Sequence, residues 1–381
     1  MQQSGGVKTD FIYFDAGGGH RAAATALREV MQQQGRPFDV HLVNLQEVLD
    51  EMDVFRKVTG LRLQDLYNLL LKKGWTLGSP QLTVGMHAVI RLFHGKTVGV
   101  LERFWRERQP EMVVSLVPNL DRALCESLGN ALPGVPFVTV LTDIADYPPH
   151  FWIEKQVQHL ICGSEKAVQQ ARELGHAPDK IHRVSGMILN PRFYEIEPLS
   201  VDARAAERAK LGFDPAKPVG LVLFGGEGSR VMYEVAQRLN DQQLLIICGK
   251  NERLRQRLQG LPHAAPMFIE GFTKEVPRYM QLADYFIGKP GPGSLSEAVA
   301  MRLPVIVECN AWTLPQERYN AVWIREHGLG KVLPNFRGIA AAVNELLEPA
   351  AYWKFHAATG RMRNRAVFEI PDILEKIARE R

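Results

Sequence analysis

The apolar run Tyr285-Phe286-Ile287 passes straight into Gly288-Lys289-Pro290-Gly291-Pro292-Gly293-Ser294-Leu295-Ser296-Glu297-Ala298. A strand, a glycine-rich loop and a helix in immediate succession form one half of a βαβ unit, the repeating element of a doubly wound sheet. The helix is predicted from about Ser294. Backbone N–H groups of a first helical turn have no partner within the helix, and the helix dipole adds partial positive charge there. With Gly291 and Gly293 allowing close approach, the loop reads as an anion site. Glu297, three residues beyond Ser294, is placed to accept hydrogen bonds from the hydroxyls of a ribose attached to bound phosphates. Ser294 and Glu297 also spell a capping box, and that purely structural reading stands beside the nucleotide one.

A second turn of the same kind favours the nucleotide. The apolar strand Val219 to Phe224 runs into Gly225-Gly226-Glu227-Gly228-Ser229, with a helix following from about Arg230. Two phosphate-type loops in one half of the chain imply one shared ligand.

The strand-and-helix alternation occurs twice. In the first half, Phe11–Phe14, Val40–Val43, Met112–Val117, Phe137–Leu141 and His159–Cys162 read as buried parallel strands. In the second half the strands are Val219–Phe224, Leu244–Cys248, Met267–Ile269, Tyr285–Ile287 and Val305–Glu308. The expected organisation is therefore an N-terminal domain over 1–197, a hinge over 198–218, a second domain over 219–350 and a helical segment over 351–381. The hinge holds a short charged helix bracketed by Pro198, Pro215 and Pro218. Ligands of such sheets bind outside the carboxyl ends of the strands, so the two domains are expected to face a cleft. A length of 381 residues, 46% hydrophobic, suffices for two cores.

Net charge is +4 and the sequence pI about 8.8, too little to argue for nucleic acid. The charge is unevenly spread, because residues 54–108 carry ten Lys and Arg against three acids, a net +7 that leaves −3 for the remainder. Within that segment Leu66, Leu69, Leu70 and Leu71 lie beside Lys72, Lys73 and Trp75, and Val89, Ile90, Leu92 and Phe93 beside Arg91 and Lys96. Interfacial helices mix apolar and basic residues in this way, as does an internal helix pair with a solvated basic face. Cys125, Cys162, Cys248 and Cys309 lie far apart in or beside apolar runs and read as buried free thiols of a reducing compartment. Residues 1–9 lack a signal-peptide core, and no run reaches membrane-spanning length, so the expected location is cytosolic or peripheral on a membrane.

The first half has its own glycine turn, Asp15-Ala16-Gly17-Gly18-Gly19-His20, between the first strand and a helix over Arg21–Gln33. The dipole at a helix start disfavours an imidazolium, which leaves His20 a neutral base near neutral pH. Asp143 ends a buried strand at the same sheet edge, where it is placed either to assist His20, to touch a second substrate or to cap the next segment.

Taken in order, Gly17-Gly18-Gly19-His20-Arg21-Ala22-Ala23, Thr142-Asp143, Gly225-Gly226-Glu227-Gly228 and Lys289-Pro290-Gly291-Pro292-Gly293-Ser294 with Glu297-Ala298 resemble the monogalactosyldiacylglycerol synthase group. That group is related to processive diacylglycerol glucosyltransferases and to the N-acetylglucosaminyltransferases of peptidoglycan lipid intermediates. The resemblance implies a GT-B fold of two Rossmann-like domains, with the C-terminal helix returning to the first domain. It implies an inverting transferase whose second domain holds a UDP-sugar and whose first domain holds a lipid acceptor, with diacylglycerol the expected one. By this likeness Gly18 and Gly19, Gly225, Gly226, Gly228 and Ser229, and Lys289, Gly291, Pro292, Gly293 and Ser294 contact the donor. Glu297 would bind the ribose, Phe272 would place its backbone near the uracil, Gln316 and Glu317 with Asn320 would read the sugar, and His20 would act on the acceptor.

Inverting transfer needs a base and a means of stabilising the departing UDP, and helix N-termini with cations meet the second need. Arg230 and Lys289 are the candidate cations. No Asp-x-Asp motif follows a strand, so neither a metal nor a cofactor is expected. The plant-type pattern has a histidine followed by proline after the Thr-Asp pair, whereas this chain has Pro148-Pro149 with His150 displaced. N-acetylglucosaminyl transfer to another lipid-linked acceptor, a UDP-N-acetylglucosamine 2-epimerase and a non-catalytic nucleotide-sugar-binding protein are the alternatives. The basic segment argues against the epimerase and the presence of His20 and Asp143 against the binding protein. Expected partners are a UDP-sugar, a lipid acceptor and an anionic membrane surface at the inner face of the cell membrane, without nucleic acid.

Overall fold

The computed structural model describes residues 6–15, 18–50 and 79–380. Residues 54–78 of the basic segment, with Leu66 to Trp75, lie outside the described residues, as do Ala16 and Gly17. Two compact units divide the chain. The first comprises Met1–Asn190, Leu314–Gln316 and Arg365–Arg381, the second Pro191–Thr313 and Glu317–Asn364.

In the first unit, β1 (Val7–Tyr13), β2 (Phe38–Asn44), β3 (Met112–Ser115), β4 (Phe137–Val140), β5 (His159–Cys162) and β6 (Ile181–Arg183) form a parallel sheet in the order β2-β1-β3-β4-β5-β6. In the second, β7 (Val219–Leu223), β8 (Gln243–Ile247), β9 (Met267–Glu270), β10 (Tyr285–Gly288), β11 (Val305–Glu308) and β12 (Gly330–Leu333) are also all parallel, in the order β12-β11-β10-β7-β8-β9. Both are the expected doubly wound sheets. The central strands β3, β4, β7, β8 and β10 are buried along their whole length, as strands covered on both faces must be. The edge strands β6 and β12 were not expected from the sequence. Ile-His-Arg and Gly-Lys-Val-Leu are too short and too polar to register as apolar runs.

In each sheet the strand order reverses once, between β1 and β3 in the first and between β7 and β10 in the second. At such a point the loops leaving two neighbouring strands turn to opposite faces of the sheet and open a crevice. The glycine turn before His20 leaves β1. The two phosphate-type loops leave β7 and β10, so chain topology brings together two segments about sixty residues apart in sequence.

The segment expected as a hinge carries the helix Val201–Lys210, which packs within the second unit. Arg208, 5% exposed, donates through Nε to the Leu282 carbonyl and through Nη2 to Asp284. Arg204 binds the Gln281 and Ala283 carbonyls and the same Asp284, whose Oδ2 also accepts from the Val219 N–H at the head of β7. The last helix, Ala366–Arg379, belongs to the first unit and packs on the helix Gly19–Gln33. Arg36 pairs there with Asp372 and Glu375, and Glu369 accepts from the Ser185 N–H. All four cysteines are free thiols, of which Cys162 and Cys248 are buried and Cys125 and Cys309 only partly so. Among the described residues no helix is long and apolar enough to cross a membrane.

Candidate active site

In the second unit, the helix after β10 starts at Pro292 and runs to Ala300, two residues earlier than expected. Proline's fixed φ suits the first helical position, where its missing N–H costs nothing. Ser294 therefore stands inside the first turn, Gly291 takes the N-cap position, and the capping-box reading fails. The first bond within the helix is Leu295 N–H to Gly291 C=O. The N–H groups of Gly291, Gly293 and Ser294 are thus left pointing out of the turn.

Glu297 lies on this helix, partly exposed, and its carboxyl makes no hydrogen bond or ion pair among the described residues. Burial raises its pKa from the ordinary value to about 7. A carboxyl left in this state beside orphan N–H groups has the acceptor capacity that two ribose hydroxyls require.

The loop after β7 meets the loop after β8. Lys250 donates its N–H to the Gly226 carbonyl, and Asn251 reaches the Glu227 carbonyl. Gly228 (φ 61°) and Gly249 (φ 60°) make this contact possible, since a Cβ would lie 2.6 Å from Cys248 O in the first case and 2.1 Å from Gly226 O in the second. Around Gly225 and Gly226, by contrast, the space for a side chain is nearly empty, which leaves it to a ligand. Helix Val231–Arg238 follows, with Ser229 Oγ accepting from the Val231 N–H. The Gly249-Lys250 turn was missed in the sequence, although strand, glycine and helix succeed one another there by the same rule. Lys250 Nζ lies 5.8 Å from the ring of Phe272, which is 62% exposed just beyond β9.

Lys289 donates to Glu317 Oε1 at 2.7 Å. Glu317 is buried near the start of helix Pro315–His327, Gln316 beside it is partly exposed, and Asn320 is wholly buried. Of the two candidate cations, Lys289 is therefore fixed beside the Gly291 turn. Arg230 precedes the helix after β7 and is exposed.

In the first unit His20 is the second residue of the helix Gly19–Gln33, two residues beyond the N-cap Gly18 (φ 80°). No atom lies within 4 Å of a Cβ built on Gly18 or Gly19, so their lack of side chains answers no packing need of the protein. Thr142 Oγ1 lies 3.1 Å from His20 Nδ1. Burial pulls the imidazole pKa down to about 4, against a smaller opposing effect of hydrogen bonding to the Leu116 backbone. Desolvation rather than the helix dipole is thus the main cause of the neutral imidazole expected from the sequence.

The ring of Trp152 stands 5.9 Å from that of His20, tilted at 51°. Its indole N–H donates to Asp143 Oδ2 at 2.9 Å. Trp152 is itself held by Asp146, 5% exposed, whose carboxylate accepts from the N–H groups of His150, Trp152 and Ile153. His150 is thus a member of the Asp146 turn. Thr142, Asp143 and His20 follow the carboxyl ends of β4 and β1; Thr142 touches His20 directly, and Asp143 bonds the indole that stands beside it. Trp152 was not expected, since nothing local to Phe151-Trp152-Ile153 distinguishes it from core sequence.

Residues 221–364 match the glycosyltransferase family 28 C-terminal domain. The chain is 28% identical over 394 residues to the chloroplastic monogalactosyldiacylglycerol synthase of Spinacia oleracea, covering 96% of this chain and 72% of the relative. Among solved structures it is similar to MurG of Acinetobacter baumannii, with a TM-score of 0.64, 13% identity and coverage of 97% and 99%. It is similar also to the UDP-GlcNAc 2-epimerase of Neisseria meningitidis, with a TM-score of 0.57, 13% identity and coverage of 97% and 100%. Those two likenesses establish the fold and leave transferase and epimerase equally served by it. The domain match and the relationship over nearly all of the chain decide between them: this protein is a GT-B glycosyltransferase with a family 28 C-terminal domain, similar over nearly its whole length to monogalactosyldiacylglycerol synthases.

Proposed function

We propose that the enzyme moves a hexose, galactose or glucose, from a UDP-sugar to the hydroxyl of diacylglycerol with inversion at the anomeric carbon. The observation that carries the donor assignment is Glu297, a carboxyl without a partner among the described residues, its pKa raised by burial, one turn beyond the orphan N–H groups of Gly291, Gly293 and Ser294. It binds the ribose. The diphosphate lies on those N–H groups and on the Gly225–Ser229 loop, and the backbone by Phe272 receives the uracil. Gln316 and Glu317 read the hexose, Glu317 with one oxygen engaged by Lys289. The acceptor assignment rests on the relationship to the spinach synthase.

His20 is the base. For Nε2 to accept the acceptor's proton, Nδ1 must carry one, and Thr142 Oγ1 is placed to receive it. As the acceptor oxygen bonds to the anomeric carbon, the bond from that carbon to the UDP oxygen breaks and the acceptor's proton passes to His20. Negative charge growing on the β-phosphate is met by the helix N-terminus and by Lys289. Gly18 and Gly19 leave room beside His20. Because this chain's own groups supply the cation, we propose turnover without a divalent metal, which chelator-insensitive activity would check.

The described part of the basic segment supports contact with an anionic membrane surface. Leu92, 77% exposed, Lys96, Arg103 and Arg106 are exposed at intervals of four, seven and three residues on the helix Ser79–Arg108. Each basic residue near anionic lipid is favoured by about 1 kcal/mol. We accordingly propose a peripheral position on the inner face of the cell membrane. Liposome flotation should depend on anionic lipid and weaken with salt; indifference to both would remove this part of the proposal.

The test of the whole is incubation with UDP-galactose, UDP-glucose or UDP-N-acetylglucosamine and diacylglycerol in anionic micelles, with lipid products read by mass spectrometry. A hexosyl glycolipid from one donor is expected. UDP release without glycolipid would refute the acceptor, and an N-acetylhexosaminyl product would refute the sugar.

A further inference from the structure

The helix Glu252–Gln259, which follows β8 and the Gly249-Lys250 turn, carries arginines at 253, 255 and 257. Arg253 is exposed, and Arg257 lies over the ring of Tyr233 at 4.6 Å. Arg255 runs the other way, to the end of β9. Its Cδ stands 3.8 Å from a Cβ built on Gly271, an ordinary packing distance. Gly271 directly precedes Phe272, whose backbone is the proposed seat of the uracil.

At that place the guanidinium is under-used. Nη1 donates to Glu252 Oε2 at 3.2 Å, Nε is buried without a hydrogen-bond partner, and no acceptor among the described residues engages Nη2. Glu270, the one acid of β9, is already taken by the Gly271 N–H at 2.8 Å and by the Tyr279 hydroxyl at 2.7 Å. The pair with Glu252 joins residues three apart on a helix, with the acid side chain 60% exposed, and such pairs contribute little. It does not account for a donor taken out of water and left unmatched.

A uracil in the proposed seat supplies the missing acceptor. Its polar edge presents a ring N–H between two carbonyl oxygens. The backbone of one residue has one N–H and one C=O, so it satisfies the ring N–H and one carbonyl and leaves the second carbonyl without a donor. A guanidinium has donors and no acceptor, the complement that this oxygen requires.

We propose that Arg255 is a base-reading residue of the donor site, donating to the uracil carbonyl that the Phe272 backbone leaves free. Glu252 steadies the guanidinium through Nη1, and the stem against Gly271 sets its reach. The inference rests on the donor site proposed above.

The experiment measures the affinities of uridine, UDP and inorganic pyrophosphate for the wild-type protein and for Arg255→Met, by calorimetry, with thermal melts alongside. Methionine keeps an unbranched stem against Gly271 and removes the guanidinium. Uridine and UDP should weaken together by roughly tenfold, as loss of one hydrogen bond from a charged group implies, with pyrophosphate affinity and the melt unchanged. Weakened UDP and pyrophosphate with intact uridine would overturn the inference and make Arg255 a phosphate ligand. Loss of all three with a lowered melt would overturn it in favour of a structural role, and no loss of any would reduce Arg255 to a partner of Glu252. If the wild-type protein binds none of the three, the donor site itself fails, an outcome separate from every variant result.

Discussion

Trp152 donates its indole N–H to Asp143 at 2.9 Å while its ring lies 5.9 Å from that of His20. Asp143 thus holds the indole that stands beside the proposed base. Replacing Trp152 by Phe keeps a ring but leaves the buried Asp143 carboxylate without this donor. The expected result is a fall in kcat of roughly ten- to a hundredfold, in keeping with the cost of small misplacements at a reacting centre, with donor affinity unchanged. Steady-state kinetics beside UDP calorimetry measures both, and an unaltered kcat would sever Trp152 from the chemistry.

His20 should be judged by pH as well as by deletion. Its pKa, pulled down to about 4 by burial, means the free enzyme keeps a neutral base across the whole range above that value. The acid limb of kcat/KM should then fall well below the ordinary histidine value of about 6.5. His20→Ala should lower kcat by roughly a hundred- to ten-thousandfold and remove that limb without altering donor affinity. For stability the sign is the usual one for a depressed pKa. The neutral His20 favours the fold fully above about 6.5, and this contribution is lost as pH falls toward 4.

Asp146 closes the turn that carries Trp152 by accepting three backbone N–H groups in a buried setting. Asp146→Ala strands those donors, and the first unit should lose about 2 to 4 kcal/mol. Chemical denaturation would show a lowered midpoint, and hydrogen exchange at residues 150–153 would quicken. A midpoint within error of the wild type would mean the turn is held by other contacts.

These contrasts explain how far the sequence could be read. Strand, glycine and helix succession located the loops after β1, β7 and β10, because each is a local property of consecutive residues. Doubly wound topology then predicted that the loops after β7 and β10, which leave neighbouring strands of one sheet, would converge. The helix start at Pro292 was misplaced because Ser294 and Glu297 imitate a cap, while the proline two residues earlier sets the true first turn. Trp152 and the Lys289–Glu317 pair were out of reach for another reason: their partners lie nine and twenty-eight residues away and nothing in composition links them. Lys289 and Glu317 were each named, but as separate contacts to a ligand, and only the fold joins them.

Glu297 gives the sharpest pH test of the donor site. Its carboxyl is held near pKa 7 in the free protein by burial, and a ribose-binding role requires the ionised, acceptor-only form. Below pH 7 the group must release a proton before the donor binds, so affinity should drop as pH falls; above it no such cost remains. Between pH 8 and pH 6 the affinity for a UDP-hexose should weaken by about tenfold, the penalty of one pKa unit below the titration point. UDP-hexose is the ligand of choice because, unlike UDP, its diphosphate has no ionisation in this interval. Glu297→Gln fixes the group as a neutral amide, so its affinity should be lower at pH 8 and flat with pH. Calorimetry at the two pH values on both proteins decides the matter: a wild-type affinity as flat as that of the variant would remove Glu297 from the ribose.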